Sequence, residues 1–302
     1  MNLLEVKQVS KHFGSKAVLK DLTFSIPKGS IFGFVGKNGA GKTTTMKLIL
    51  GLDEIDQGEI YLKGQKVVFG ETPTNQLTGY LPDVPEFYDY MTAREYLLFC
   101  SEVTYIPKKN RKKRVEEMLM LVGLAQEKKQ IKGFSRGMKQ RMGIAQALLN
   151  EPEFLICDEP TSALDPNGRN EFLSLLASLK GKVTILFSTH ILSDVERICD
   201  YVGILDQGTL QITGELETLK ERFAQPQIAI TFEQEEEAEK LISLLSGQAV
   251  QSEGNQVLWS YQGTYSNAFK QVLELLLNAD LTAKSLRHIA PSLEQIYLEV
   301  TK

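Results

Sequence analysis

No stretch of the chain approaches the roughly 20 consecutive apolar residues that a helix needs to span a bilayer. The sequence therefore predicts a chain that does not cross a membrane by itself. Cysteine is scarce: Cys100, Cys157 and Cys199 are the only three, without paired spacing. That excludes a disulfide framework and fits free thiols in a reducing compartment. With only three histidines as well, nothing suggests a structural zinc site. The opening residues Met1 to Lys7 lack the form of a signal peptide, because Glu5 and Lys7 interrupt the apolar run. Positive charge is also lacking overall. The formal net charge is -4, so no global field draws the chain to nucleic acid or anionic lipid, and any such contact must be local. The one strongly basic stretch, Lys108-Lys109-Asn110-Arg111-Lys112-Lys113-Arg114, reads as the solvated start of a helix.

What is present describes an ordinary globular protein of 302 residues, 42% hydrophobic and 24% charged, with about two domains as a prior. Leu3 to Pro27 alternates apolar and polar residues, a strand pattern. Ile31-Phe32-Gly33-Phe34-Val35 is a continuous apolar run and reads as a buried parallel strand. A glycine-rich loop follows, then a helix from Thr43 to Leu52. Helical periodicity covers Arg94 to Thr104, Lys112 to Val122 and Gly137 to Leu149. Phe154 to Cys157 and Val183 to Ser188 read as further buried strands flanking a helix over Asn170 to Leu179. Tyr201 to Leu205 and Thr209 to Ile212 form a hairpin. The pattern restarts near Ala224-Gln225-Pro226, which predicts a separate α+β domain of strands and helices to the end of the chain.

Gly36-Lys37-Asn38-Gly39-Ala40-Gly41-Lys42-Thr43 fits the eight-residue phosphate-loop pattern at every fixed position. Glycines let backbone N–H groups close around phosphate oxygens, and the next helix adds its positive N-terminus. Lys42 supplies a mobile charge to the outer phosphates, and the Thr43 hydroxyl is placed to ligate magnesium. The glycines do not fit the spacing of a dinucleotide-binding loop. After the buried strand Phe154 to Cys157 come Asp158 and Glu159, at the sheet edge where ligands collect. Asp158 suits magnesium, and Glu159 suits a general base for water at the terminal phosphate.

At this point the residues resemble the ATP-binding cassette (ABC) ATPases, over about residues 3 to 222. Phe13 stands where the family places an aromatic that stacks on adenine. Phe134-Ser135-Arg136-Gly137-Met138 occupies the position of the family's Leu-Ser-Gly-Gly-Gln signature; Ser135 and Gly137 match, Arg136 and Met138 depart. Ser162-Ala163-Leu164-Asp165 resembles the D-loop, and His190 the switch histidine that bonds the γ-phosphate. Asp83 stands where the family usually has a magnesium-touching glutamine.

The resemblance implies a phosphate-loop NTPase of the ABC ATPase type, an α/β fold. Its parts are a mixed or parallel core sheet, an antiparallel β subdomain and a helical subdomain at about 84–149, within a nucleotide-binding domain at 1–222. A small C-terminal α+β domain follows at 227–302, similar to that on ATPases of bacterial two-component exporters. The implied cofactors are ATP and Mg2+. Nucleotide is implied to meet Phe13, Gly36, Asn38, Gly39, Ala40, Gly41, Lys42, Thr43, Thr44, Ser135 and Gly137. The metal is implied at Thr43, Asp83 and Asp158, and catalysis at Glu159, His190 and Lys42. The implied partners are a second ATPase subunit, with a homodimer expected, and a transmembrane permease of an exporter docking near Asp83 to Glu95, where Pro85, Phe87, Tyr88 and Tyr90 cluster. No nucleic acid partner is expected, and the location implied is cytoplasmic, peripheral at the inner face of the cell membrane. The alternative is an ABC ATPase acting on ribosomes or nucleic acid without a membrane partner. A kinase sharing the loop fits less well, given the signature segment and His190.

Overall fold

The computed structural model describes every residue except 71–72, 224–225, 246–249, 290 and 302. Contacts divide it into one unit of Met1–Leu216 with the chain end from Val300, and another of Glu217–Glu299.

The first unit begins with two 12-residue strands, β1 (Asn2–Phe13) and β2 (Lys16–Pro27), paired antiparallel. The tight reversal between them uses Gly14 at φ +59, a left-handed conformation that glycine adopts without steric cost. After β3 (Ile31–Val35) and helix α1 (Lys42–Ile49) come β4 (Gln57–Leu62) and the short β5 (Gln65–Lys66). These complete an antiparallel sheet of order β2-β1-β4-β5. The sequence reading passed over β4, whose first half is polar and exposed.

A second sheet carries the buried runs. β6 (Thr78–Leu81), β7 (Phe154–Cys157), β8 (Thr184–Thr189), β9 (Tyr201–Asp206) and β10 (Thr209–Glu215) join β3 in the order β10-β9-β3-β8-β7-β6. The pairs from β9 through β6 are parallel, and only the β9–β10 edge is antiparallel. Strands β3, β7 and β8 are buried at every residue, as expected for parallel strands covered on both faces. The two sheets meet through one core, where Phe24 stacks on Phe32 and Phe34 at 5.5 and 5.4 Å between ring centroids.

Between β6 and β7 the chain is helical: α2 (Ala93–Val103), α3 (Lys108–Leu121) and α4 (Arg136–Ala147). Thr92 and Glu95 form a reciprocal capping box at the start of α2, satisfying two otherwise orphaned backbone donors. Arg94 grips Glu116 through two hydrogen bonds, of 2.5 and 2.9 Å, and ties α2 to α3. Helix α5 (Pro166–Ser178) connects β7 to β8 with Asp165 as its N-cap and proline in its first turn, the arrangement expected at a helix start. The seven-residue α6 (Leu192–Ile198) follows β8.

The second unit takes in most of α7 (Leu216–Arg222). It continues as β11 (Gln227–Thr231), α8 (Glu235–Leu244), β12 (Val250–Glu253), β13 (Gln256–Ser260), α9 (Tyr265–Asn278), β14 (Ser285–His288) and α10 (Leu293–Val300). Its antiparallel sheet has the order β12-β13-β11-β14. From β11 to β14 this is a split βαβ-βαβ arrangement, with a core that includes Ile228, Ile230, Leu241, Trp259 and Val272. The polar strand β12 escaped the sequence reading because it lacks apolar alternation. Of the restart read at Ala224-Gln225-Pro226, the first two residues lie outside the described residues.

Close approach of α4 to β6 depends on Gly79. A Cβ built there would fall inside the van der Waals shell of the Ala147 carbonyl oxygen, a backbone atom with little room to retreat. Gly79→Ala is expected to destabilise the chain by about 1–3 kcal/mol in urea unfolding. Gly133→Ala, whose nearest new neighbour is the Lys129 side chain at 3.6 Å, is expected to stay within about 0.5 kcal/mol of the parent.

Candidate functional site

The carboxyl ends of β3, β8, β7 and β6 lie side by side, with Val35 opposite Thr189, Cys157 opposite Phe187, and Leu81 opposite Cys157. The residues that follow these ends, Gly36 to Thr43, His190, Asp158-Glu159 and Asp83, therefore lie along one sheet edge. In open α/β sheets this is where ligands bind.

The loop after β3 is pinned at two points. Ala40 donates its backbone N–H to the Lys37 carbonyl at 3.1 Å, and Gly208 donates to the Ala40 carbonyl at 3.1 Å. Gly41 sits at φ +111, where a Cβ would meet Leu19 Cδ2 at 2.6 Å and the Val18 carbonyl oxygen at 3.2 Å, so conformation and space both demand glycine. Asn38 and Gly39 are exposed at the crown, while Ala40 and Gly41 are buried. Helix α1 then starts without a side-chain cap and without an acid in its first turn. Its first N–H groups have no intrahelical acceptor, and the helix dipole makes that end attractive to an anion. Thr43 and Thr44 are exposed and half-buried there.

Lys42 is buried at 5% exposure. Its ammonium donates to the carbonyls of Gly36 (2.6 Å) and Lys37 (3.2 Å) and pairs with Glu159 Oε1 at 3.0 Å. Among the described residues that carboxylate oxygen accepts no well-directed hydrogen bond, so the charge of Lys42 is its main compensation. The other oxygen, Oε2, lies 2.8 Å from His190 Nδ1. Glu159 itself has φ 45, a left-handed conformation that costs a non-glycine residue about 1–3 kcal/mol and occurs preferentially at functional positions.

Asp158 is held from two sides: Thr43 Oγ1 donates to Oδ2 at 2.8 Å and Ser188 Oγ donates to Oδ1 at 2.7 Å. Ser188 Oγ also accepts the Glu159 backbone N–H at 3.0 Å. Ser188 thus fixes both acids, a role the sequence reading missed. Its only signal was a buried hydroxyl at the end of an apolar strand. A second network also went unread. Asp194, 1% exposed, accepts from Thr161 Oγ1 at 2.8 Å and Arg169 Nε at 2.6 Å, anchoring the loop after Glu159 to α5 and α6. The Tyr80 hydroxyl is pushed up to about 12, by burial first and then by the carboxylates of Asp158 and Asp83.

Asp83 is directed elsewhere than at the Thr43–Asp158 pair. Its Oδ1 accepts from Ser162 Oγ at 2.9 Å, and its carbonyl accepts from Gln140 Nε2 at 2.6 Å. Phe13 is half exposed, with the Lys11 ammonium 5.1 Å from its ring centroid. Ser135 caps α4, accepting from the Met138 N–H at 3.2 Å. With Gly137 it lines a cleft shared with Leu164 and Asp165. Among the described residues no hydrogen bond or ion pair joins Ser135 or Gly137 to the phosphate loop of the same chain.

Comparison with known proteins agrees with this geometry. The ABC transporter family model matches residues 19–162. An uncharacterized ABC transporter ATP-binding protein of Bacillus subtilis, YxlF, is 42% identical over 73% of each chain. The bacitracin transport ATP-binding protein BcrA of Bacillus licheniformis is 41% identical over 73% of this chain and 72% of its own. Among solved structures, a dimeric post-hydrolysis ATP-binding cassette bound to ADP and Pi superposes with a TM-score of 0.63. It is 25% identical over 70% of this chain and 98% of that one. The phosphate loop, the acids behind it and these relatives agree, and the chain belongs to the ABC transporter ATP-binding proteins and is an ATPase.

Proposed function

We propose that two copies of this chain close around ATP, with the phosphate loop of one facing Ser135 and Gly137 of the other, and that closure and hydrolysis drive a separate membrane permease in the export direction. The observation that carries the reading is the state of Gly137. A Cβ there would have ordinary contacts only, Leu164 Cδ2 at 3.9 Å and Ser135 Oγ at 4.0 Å. Among the described residues nothing requires glycine at the start of α4, whereas close approach of a phosphate from a second copy would. The dimeric ADP-bound relative supports this arrangement.

Phosphate oxygens entering the loop would take over the Lys42 ammonium from the Gly36 and Lys37 carbonyls, and Phe13 would offer its exposed ring to the base. The N–H groups at the start of α1, with Thr44 and the loop amides of Asn38 and Gly39, would surround the phosphate chain, and the Ala40 amide would join them only by leaving the Lys37 carbonyl. Glu159, within hydrogen-bond distance of His190, would take the proton of the attacking water, and His190 would bond the γ-phosphate. Thr43 and Asp158 present two facing oxygens at 2.8 Å, a donor set suited to a cation that keeps most of its other positions for water and phosphate. Magnesium held there would supply charge neutralisation of the outer phosphates. Asp83, bonded to Ser162, would join that site only by exchanging this partner.

The permease is assigned to a groove between β6, α2 and the end of α4, lined by residues that include Tyr80, Glu86, Tyr88 and Val103. The aromatic stretch before α2 divides here. Phe87 packs edge-on against Tyr96 at 5.2 Å, while Tyr88 and Tyr90 remain 49% and 65% exposed. The export direction rests on the resemblance of the C-terminal segment, with the bacitracin transport named for BcrA beside it.

Glu159→Gln is expected to bind ATP and lose about 10²- to 10⁴-fold in hydrolysis rate, the span of a lost general base. Turnover at the parent rate would remove Glu159 from that role. In the Glu159→Gln background, adding Gly137→Asp should leave the fold and ATP binding intact while abolishing the ATP-dependent dimer on size-exclusion chromatography; a dimer of undiminished amount would place this face elsewhere. We also propose that the nucleotide site is complete in residues 1–222. A chain truncated after Arg222 should bind ATP with the parent affinity by calorimetry, and loss of binding would show that 227–302 contributes to the site.

A further inference from the structure

The basic run at the start of α3 divides according to what its members touch. Arg111 donates Nε to the Ile106 carbonyl at 2.7 Å and pairs with Glu102 at 2.7 Å. Arg114 donates to the carbonyls of Leu149 and Leu148, at 2.9 and 2.6 Å, closing the end of α4. The arginines therefore hold the helices together. Lys108, Lys109 and Lys112 have no ion pair among the described residues, and Lys113, 85% exposed, comes only within 3.8 Å of Glu117. Their spacing places all four ammonium groups on one side of the first two turns.

That placement opposes helix electrostatics. A helix N-terminus carries partial positive charge and is stabilised by acids. Helix α3 has no acid in its first turn, and its N-cap, Pro107, offers no side-chain acceptor. The preceding turn breaks a second local rule. Helix α2 ends in a Schellman motif, with Tyr105 N–H donating to Glu102 (3.1 Å) and Ile106 N–H to Ser101 (3.0 Å). The left-handed position of that motif normally holds glycine. Here it holds Tyr105, at φ 57 and 90% exposed, next to Val103 at 58% exposure. Two violations of local preference at one tip, with no compensating hydrogen bond or ion pair among the described residues, mark a functional surface.

We propose that this tip, Tyr105 and Val103 backed by Lys108, Lys109, Lys112 and Lys113, binds the anionic surface of a lipid bilayer. The lysines complement headgroup charge. A tyrosine ring, apolar in body and polar at its end, suits the headgroup level. The overall charge of -4 would repel an anionic surface, so contact must be confined to such a patch. An aliphatic side chain such as Val103 gains from the acyl boundary and has no comparable use against a phosphodiester backbone, which favours lipid over nucleic acid. Val103 also lines the groove assigned to the permease, and in this respect the proposal rests on that assignment.

The test uses the full chain without permease, in co-sedimentation with vesicles of phosphatidylcholine alone and of an equal mixture with phosphatidylglycerol. The parent is expected to bind the mixed vesicles, not the neutral ones, and to be released by high salt. Replacing Lys108, Lys109 and Lys112 together with glutamine should weaken binding by roughly 100-fold, from about one charge's worth per lysine, with ATP hydrolysis unchanged. Tyr105→Gly should weaken binding while raising the melting temperature, because it relieves the left-handed strain; a purely structural Tyr105 would not separate the two readouts. Equal binding to both vesicle types, no binding, or undiminished binding by the triple variant would overturn the proposal. So would tighter retention of the parent on a DNA duplex through the same lysines. Because the permease is absent from the assay, each of these failures leaves the groove assignment standing, and that assignment fails separately if a Tyr80 or Glu86 substitution leaves permease co-purification intact.

Discussion

A lysine ammonium almost removed from water must be compensated, and in this chain the compensation for Lys42 organises the site. Two loop carbonyls and the Glu159 carboxylate share its charge. An uncompensated buried charge would cost several kcal/mol, so loop and acid hold each other in place. Among the described residues, Glu159 in turn has only Lys42 at one oxygen and His190 at the other. A polyanion entering the loop competes for the same ammonium, so binding at the loop and freedom of the Glu159 carboxylate are coupled by electrostatics.

The sheet supplies the precision this coupling needs. Ser188 reaches Asp158 and the Glu159 backbone from the adjacent strand, and Thr43 reaches Asp158 from the first turn of α1. Because β3, β7 and β8 are buried on both faces, their relative register has little freedom. The Thr161–Asp194–Arg169 network extends this rigidity to the loop after Glu159. A site built on strand ends and braced by buried hydrogen bonds holds its reacting groups better than one built on loops alone.

The surfaces around this centre behave differently. Gly137, Tyr105 and the α3 lysines are not explained by packing within the chain. Gly137 has spare room, Tyr105 is strained and exposed, and the lysines oppose the helix dipole. Such residues have the character of contacts with something outside the chain; those proposed are a nucleotide on a second copy in one case and an anionic surface in the other.

The phosphate loop could be read from the sequence because its chemistry is local: eight consecutive residues between a strand and a helix make the cradle. Asp158-Glu159 could be placed because they follow a buried strand, and burial leaves a mark on composition; His190 was singled out by the family resemblance, and it too follows a buried strand. Strands β4 and β12 were missed where that mark was weak: β12 is polar and largely exposed, and β4 begins polar, leaving only Ile60 and Leu62 to mark its buried face. Tertiary structure alone decided the partners: Ser188 with Asp158, 30 residues away, and Asp83 with Ser162, 79 away. Periodicity reports which face of an element is buried; which neighbour it meets depends on strand order and register, and these arise only when distant segments pack together.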